Sequence, residues 1–309
     1  MMFYGAMNTL KTTNLGRCAQ YEYETHGYTA RLISADNEWD TLIDLINAGI
    51  IDPLSVLGFE HPHSVLSMLS EGQWIRESAR EPGKLEFYPT PVEELRKIIY
   101  LIEGSTTISE LLMRNHTTSG RVIGEDVVGK FTDSFGGKIY TYANPGRSHH
   151  FNVQTVVTLQ LMPDFMRLPC PLIIWTGHEY KGEDEATGQR MLGPGVSGKA
   201  ATLRVPRKLG NCLHMDVKHS TVINQKTRQQ ETVAEHRAYF EQHPDIDSPS
   251  LKWPAGLKMP AAWVPEWEAR FPEGYIPLTL TQGVEVFLKF QDEMKAKHPT
   301  TMVAVATDG

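Results

Sequence analysis

Two short runs limit what this chain can build. "KIIYLIEG" (Lys97–Gly104) and "CPLIIWTGHE" (Cys170–Glu179) each carry a nearly unbroken apolar stretch. A helix or strand with one wet face needs polar residues at regular intervals, and these stretches lack them. Each suits a strand buried on both faces, the usual condition of a parallel sheet covered by helices. Further strands are expected at Met2–Tyr4, running into Gly5, at Thr29–Asp36, and at Asn211–His219. Helical spacing is found over Thr12–Thr25, closed by Gly27, over Glu38–Gly49 and over Val92–Lys97. It recurs over Ser105–Asn115 and Phe151–Arg167. Strands alternating with helices predict an α/β fold with a mostly parallel central sheet flanked by helices.

Two segments interrupt the alternation, at about 52–90 and 116–148, and read as loops or insertions. Beyond them the composition changes. "ETVAEHRAYFEQH" (Glu231–His243) has helix formers, a stretch rich in Pro and Trp follows, and a last helix is expected over Thr281–Lys297. The expected division is a core of residues 1–228 and a helical or irregular C-terminal appendage of residues 229–309. Among prolines, Trp253, Trp263 and Trp267 read as packing the appendage onto the core.

Bulk properties exclude some classes. No run of 18 apolar residues occurs, so no membrane span is expected. The N-terminus has no basic region followed by an apolar stretch, so no secretion signal is expected. Three cysteines (Cys18, Cys170, Cys212) stand far apart without metal-ligand spacing, which fits a cytoplasmic protein. A formal charge of −7 argues against a general polyanion binder. Between Gly188 and Arg228, however, stand Arg190, Lys199, Arg204, Arg207, Lys208, Lys218, Lys226 and Arg228, with Asp216 the only acid.

Residues 5–13, "GAMNTLKTT", raise the chemical question. A phosphate loop needs backbone N–H groups converging between a strand and a helix, a lysine for the β/γ oxygens and a hydroxyl for Mg²⁺. Gly5, Lys11 and Thr12 stand at the spacing G-x-x-x-x-G-K-[ST], with Leu10 where the second glycine belongs. The alternative is a surface turn with Asn8 or Thr9 capping the helix. Other strand ends supply what a nucleotide hydrolase needs. Glu103 closes one apolar strand and suits a Mg²⁺-directed acid. Asp36, with Glu38 two residues on, suits the carboxylate that polarises water. Thr176, His178 and Glu179 top a further strand beside the γ-phosphate position. Ligands of open α/β sheets bind at that carboxyl edge.

With these residues in view, the chain resembles a RecA-like P-loop ATPase of the compact bacteriophage kind, related to AAA/RecA-core single-strand annealing and recombination ATPases. The resemblance rests on "YGAMNTLKTT", "LISADNEW", "IIYLIEGSTT", "PLIIWTGHE" and "LGPGVSGKAATLRVPRKLG", and covers about residues 1–220. It implies a core that binds ATP and Mg²⁺ and hydrolyses ATP. It places nucleotide contacts on Gly5, Ala6, Met7, Asn8, Thr9, Leu10, Lys11, Thr12 and Thr13. Thr12 and Glu103 are the implied metal ligands, Asp36 the catalytic carboxylate, and His178 or Thr176 the γ-phosphate sensor. It also departs from the family: Leu10 replaces a glycine, Glu103 replaces the usual Asp, and Asp36 replaces a Glu.

The basic segment has three readings: a solvated loop, a contact for single-stranded DNA, or the source of a finger reaching a neighbouring subunit's γ-phosphate. Arg190, Lys199, Arg204, Arg207, Lys208 and Lys258 are the candidates for the last two. The leading expectation is therefore a DNA-associated ATPase of phage recombination, repair or replication, forming a homo-oligomeric ring or filament. The rivals are a nucleotide-gated DNA-binding or annealing module with little turnover, and a helicase or packaging motor.

Overall fold

We describe a computed structural model of the 309-residue chain. The structure describes residues 1–309 except 37–38, 58, 60–61, 79, 82–83, 119–126, 133–138, 144–159, 184–189, 196–204, 206–208, 224–227, 229, 242–250, 253–254 and 300–309. The described elements, in chain order, begin with β1 (Met2–Gly5), α1 (Lys11–His26), β2 (Thr29–Ser34), α2 (Ile43–Asn47), β3 (Ile51–Ser55) and α3 (Pro62–Ser70). Next come β4 (Gln73–Glu77), β5 (Leu85–Pro89), α4 (Val92–Leu95), β6 (Ile98–Glu103), α5 (Ser105–Thr118), β7 (Val127–Thr132) and β8 (Ile139–Ala143). The remainder are α6 (Met162–Met166), β9 (Ile173–Glu183), β10 (Arg190–Pro194), β11 (Cys212–Ile223), β12 (Gln230–Tyr239), β13 (Leu251–Lys252), α7 (Val264–Arg270), β14 (Tyr275–Leu278) and α8 (Glu285–Lys297).

A mostly parallel sheet organises the molecule, in the order β14-β12-β11-β1-β9-β6-β2-β3. Strands β11, β1, β9, β6, β2 and β3 run parallel, while β12 and β14 pair antiparallel at one end. The apolar runs become β6 and β9 because both their faces are covered. In β6, Ile98, Tyr100 and Ile102 join one apolar cluster, and Ile99 and Leu101 join the other. The first cluster takes in Leu66 and Leu69 of α3, Ile108 and Leu112 of α5 and Phe165 of α6. The second takes in Leu15 and Ala19 of α1 and Phe287, Leu288 and Phe290 of α8. The fold is thus α/β with helices on both sheet faces, as expected.

Several expectations change. Glu231–His243 was expected to be helical, yet Gln230–Tyr239 is strand β12. It pairs with β11 from His214–Tyr239 to Ile223–Gln230, and this pairing overrides the helix preference of its glutamates and alanines. The division expected at 228/229 therefore falls between two strands of one hairpin. Strand β14 extends the same sheet, and α8 packs its Phe287 and Phe290 into the second cluster. The stretch 52–90, expected to be loop or insertion, contributes the sheet strand β3, helix α3 and the β4–β5 hairpin. Within 116–148, strands β7 and β8 form a hairpin. Of the helix expected over Phe151–Arg167, residues 151–159 lie outside the described residues and Met162–Met166 is helical. Trp267 is buried against Phe240, Phe271, Phe287 and Phe290, and Trp263 packs on the same cluster; Trp253 lies outside the described residues. Among the described residues, no helix is long and apolar enough to cross a membrane.

Candidate functional site

Among the described parallel strands, β1, β6, β2 and β3 end at one sheet edge, where β9 and β11 continue past Gly5 into antiparallel pairings with β10 and β12, and the site forms there. In register, Gly5 of β1 stands between His178 of β9 and Met215 of β11. Strand β9 lies between β1 and β6, so Thr176 and His178 sit between the loop after Gly5 and Glu103. On β6 and β2, Glu103 pairs with Ser34.

The loop leaving Gly5 is fixed by close contacts. A side chain at Gly5 would collide with the Met215 carbonyl, so only glycine lets the chain turn there. Thr9 is buried, and its hydroxyl donates back to the Ala6 carbonyl at 2.9 Å. Asn8 (φ 61°) and Leu10 (φ 63°) both adopt the left-handed conformation. Glycine adopts this conformation freely, whereas a Cβ at Leu10 costs about 1–2 kcal/mol. The leucine side chain is half-buried against the second apolar cluster.

From the first turn of α1, the Lys11 ammonium returns across the loop. It donates to the carbonyls of Gly5, at 3.1 Å, and Ala6, and to the Thr9 hydroxyl at 3.3 Å. One residue on, the Thr12 hydroxyl donates to Glu103 Oε1 at 2.6 Å. The other oxygen of that carboxylate, Oε2, accepts from the Ser34 hydroxyl at 2.8 Å. Glu103 is 2% exposed, so its carboxylate is held rigidly between α1 and β2.

Asp36 follows β2 and lies against Gly104, which has φ 76°. A Cβ on Gly104 would stand 2.6 Å from Asp36 Oδ2. The Gly104 amide donates to the buried Thr176 hydroxyl at 3.2 Å. A cavity of about 420 Å³ opens above these groups. Residues Met7–Thr13 line it. Asp36, Glu103, Thr176 and His178 also line it, together with Asp40 and Thr41.

The structure therefore brings together Gly5, Ala6, Met7, Asn8, Thr9, Leu10, Lys11, Thr12, Thr13, Asp36, Glu103, Thr176 and His178 at one edge. Glu38, Lys199, Arg204, Arg207 and Lys208 lie outside the described residues, as does the side chain of Arg190 at the start of β10. Lys258 is exposed at the opposite edge of the sheet. Its amide donates to Asn211 Oδ1, and the Asn211 carbonyl accepts from the amide of Met2, where β1 begins.

Four residues escape sequence reading: Ser34, Gly104, Asp40 and Thr41. A serine ending a strand and a glycine after an acid are common, and only the spatial neighbour gives either its meaning. Asp40 and Thr41 belong to a single turn of 3₁₀ helix inside a stretch that reads as plain helix.

Beyond His178, Glu179 forms a separate polar contact with buried His214, at 3.0 Å, and with Lys181, at 2.6 Å. Burial pushes its carboxyl up, but hydrogen bonds from His214 and Lys181 outweigh this and hold it below the usual carboxylate range.

The site combines a cationic side chain with hard-oxygen donors. The Lys11 ammonium, the Thr12 hydroxyl, the carboxylates of Asp36, Asp40 and Glu103 and the His178 imidazole line one cavity. The chain matches no protein-family model and no curated protein sequence.

Proposed function

We propose that this protein binds ATP with Mg²⁺ in the cavity after β1 and hydrolyses it, on a RecA-like P-loop core. One observation carries the reading: the hydrogen bond from Thr12 to Glu103 beneath a loop already spanned by Lys11. These are the hydroxyl and acid that must share a Mg²⁺ shell, and the sequence separates them by 91 positions. Mg²⁺ takes oxygen ligands, keeps several waters and draws others from the substrate phosphates, so one hydroxyl and one carboxylate fit it. Its chemistry is to neutralise charge on the transferring phosphoryl group.

The remaining roles follow from position. Lys11 stands at the centre of the loop to meet the β/γ oxygens, and the loop's backbone and the start of α1 favour negative charge. Asp36 is the carboxylate that orients the attacking water. Thr176 and His178 lie on β9, the strand between loop and acid, at the level of Gly5, where the γ-phosphate would be sensed. Leu10 accommodates the loop because its side chain turns toward the apolar cluster while its backbone keeps the glycine-like conformation.

Action on single-stranded DNA, assembly into a ring or filament, and a phage recombination role form the outer part of the proposal. They rest on the basic, Gly-rich sequence of 188–228 and on the resemblance given above. The test is ATP turnover by purified protein with and without single-stranded DNA, set against Lys11→Ala. The proposal expects turnover that Lys11→Ala abolishes. Binding of ATP without phosphate release favours the nucleotide-gated module instead. Turnover unaffected by Lys11→Ala overturns the assignment.

A further inference from the structure

The residue that looks least suited to the loop, Leu10, is held by a part of the chain more than 260 residues away. Asn14, one turn into α1, is 1% exposed. Its Nδ2 donates to the Leu10 carbonyl at 2.8 Å, in addition to the helical bond from its own amide at 3.0 Å. Its Oδ1 accepts from the backbone amide of Val284 at 2.8 Å. A carbonyl only accepts and an amide N–H only donates, so these two partners fix which way the Asn14 side chain points.

The C-terminal partner is shaped around that side chain. A Cβ on Gly283 would collide with Asn14 Oδ1, so the backbone comes as close as glycine permits. Val284 is fully buried in the same apolar cluster that Leu10 packs against. On the next turn of α1, Arg17 donates to the carbonyls of Thr279 and Leu280 at 2.9 and 2.6 Å and pairs with Glu285 at 3.7 Å. Residues 279–285 thus grip the outer face of α1 directly behind the phosphate loop.

We infer that Asn14 is a positioning residue for the nucleotide site, and that residues 279–285 are a brace that lets a leucine serve in the left-handed position of the loop. The inference rests on the nucleotide-site reading above. Glycine adopts that conformation freely, whereas leucine resists it. The Leu10 carbonyl, which accepts from both the amide and Nδ2 of Asn14, and the Leu10 side chain, packed on the cluster to which Val284 belongs, together hold it there. Lys11 and Thr12 follow immediately, so their aim depends on that hold. A substitution at Asn14 touches no ligand and acts through Leu10.

The test measures the affinity of a fluorescent ATP analogue with Mg²⁺, well below the unfolding temperature of every variant used. Asn14→Ala and Asn14→Asp both remove the donor to Leu10, and each is expected to weaken binding about tenfold, the usual consequence of losing one buried hydrogen bond. Leu10→Gly added to Asn14→Ala is expected to recover most of that loss, because glycine needs no brace. Val284→Pro removes the other partner and keeps an apolar residue at a compatible φ of −67°; it reports if the Asn14 variants do not fold. Unchanged affinity in folded Asn14 or Val284 variants, or no recovery by Leu10→Gly, overturns the brace. If Lys11→Ala leaves binding intact, the nucleotide reading itself fails. If Lys11→Ala weakens binding and the brace variants do not, only the brace fails.

Discussion

The carboxylate of Asp36 occupies the space where Gly104 would carry a side chain: an ideal Cβ there stands 2.6 Å from Oδ2 and 2.8 Å from Oδ1. Gly104 is also left-handed, at φ 76°. The residue after the buried acid is therefore what lets a second acid approach the same corner of the cavity. Gly104→Ala is expected to push Asp36 outward and add backbone strain of about 1–2 kcal/mol. Under the proposed ATPase reading, turnover should fall at least tenfold while nucleotide affinity changes little, since the loop and Lys11 are untouched. Pre-steady-state phosphate release beside equilibrium binding checks this. A parallel loss of both would assign Gly104 to the loop's architecture instead.

Glu103 makes a separate prediction because it is bonded on both oxygens. Glu103→Gln keeps the shape and can still accept from Thr12 or Ser34, but removes the charge that attracts a cation. Turnover should drop by about 10²–10³, in line with the removal of one transition-state stabilising group. Glu103→Asp shortens the reach and is expected to break the contacts with both Thr12 and Ser34. Titration of Mg²⁺ against turnover reads the difference: both variants require more metal, and a wild-type Mg²⁺ requirement in Glu103→Gln would remove Glu103 from the metal's vicinity.

Much of this site is legible in sequence because its parts lie at strand ends, and the strands announce themselves. Two-sided burial leaves Ile98–Ile102 and Leu172–Trp175 almost wholly apolar, so Glu103 and Thr176 stand out as the first polar groups beyond them. Lys11 and Thr12 follow from spacing. Other parts are legible only in space. Ser34 matters because β2 and β6 pair in register with Glu103. Strand β12 is hidden because Glu231, Ala234 and Glu235 favour helix, and only its last residues, Ala238 and Tyr239, are buried. Its partner β11 decides the conformation, and no local pattern records that partner.

The junction of α1 and α8 gives the protein a pH response. Asp292 accepts hydrogen bonds from Tyr21 at 2.8 Å and Lys295 at 3.1 Å, and contacts His26 Nε2 at 2.9 Å. Partial burial raises its carboxyl pKa, but these hydrogen bonds outweigh burial and leave it below the ordinary Asp value. A carboxyl depressed on folding contributes stability above its unfolded pKa and loses it as pH falls through the folded one. Asp292→Asn should therefore lower the melting temperature fully at pH 7. The gap from wild type should begin to close below about pH 4 and vanish in stronger acid. Melting curves from pH 7 to pH 2 test this; a gap independent of pH would mean that the asparagine acts by altered packing.

Trp267 tests whether the C-terminal residues share one folding unit with the proposed nucleotide site. It is 2% exposed and touches the rings of Phe240, Phe271, Phe287 and Phe290, which bind β12, α7 and α8 into the cluster beneath β1 and α1. Trp267→Ala removes a large side chain from a packed interior and is expected to cost about 3–5 kcal/mol. A separate C-terminal unit would lose that stability alone, leaving a second, unshifted transition for the part that holds Lys11 and Glu103. A shared sheet and a shared cluster predict one transition, moved to lower temperature, when unfolding is followed by a probe placed on α1. Nucleotide with Mg²⁺ should raise that single transition in wild type and variant alike, because ligand binding to the folded state stabilises whatever unfolds with the site.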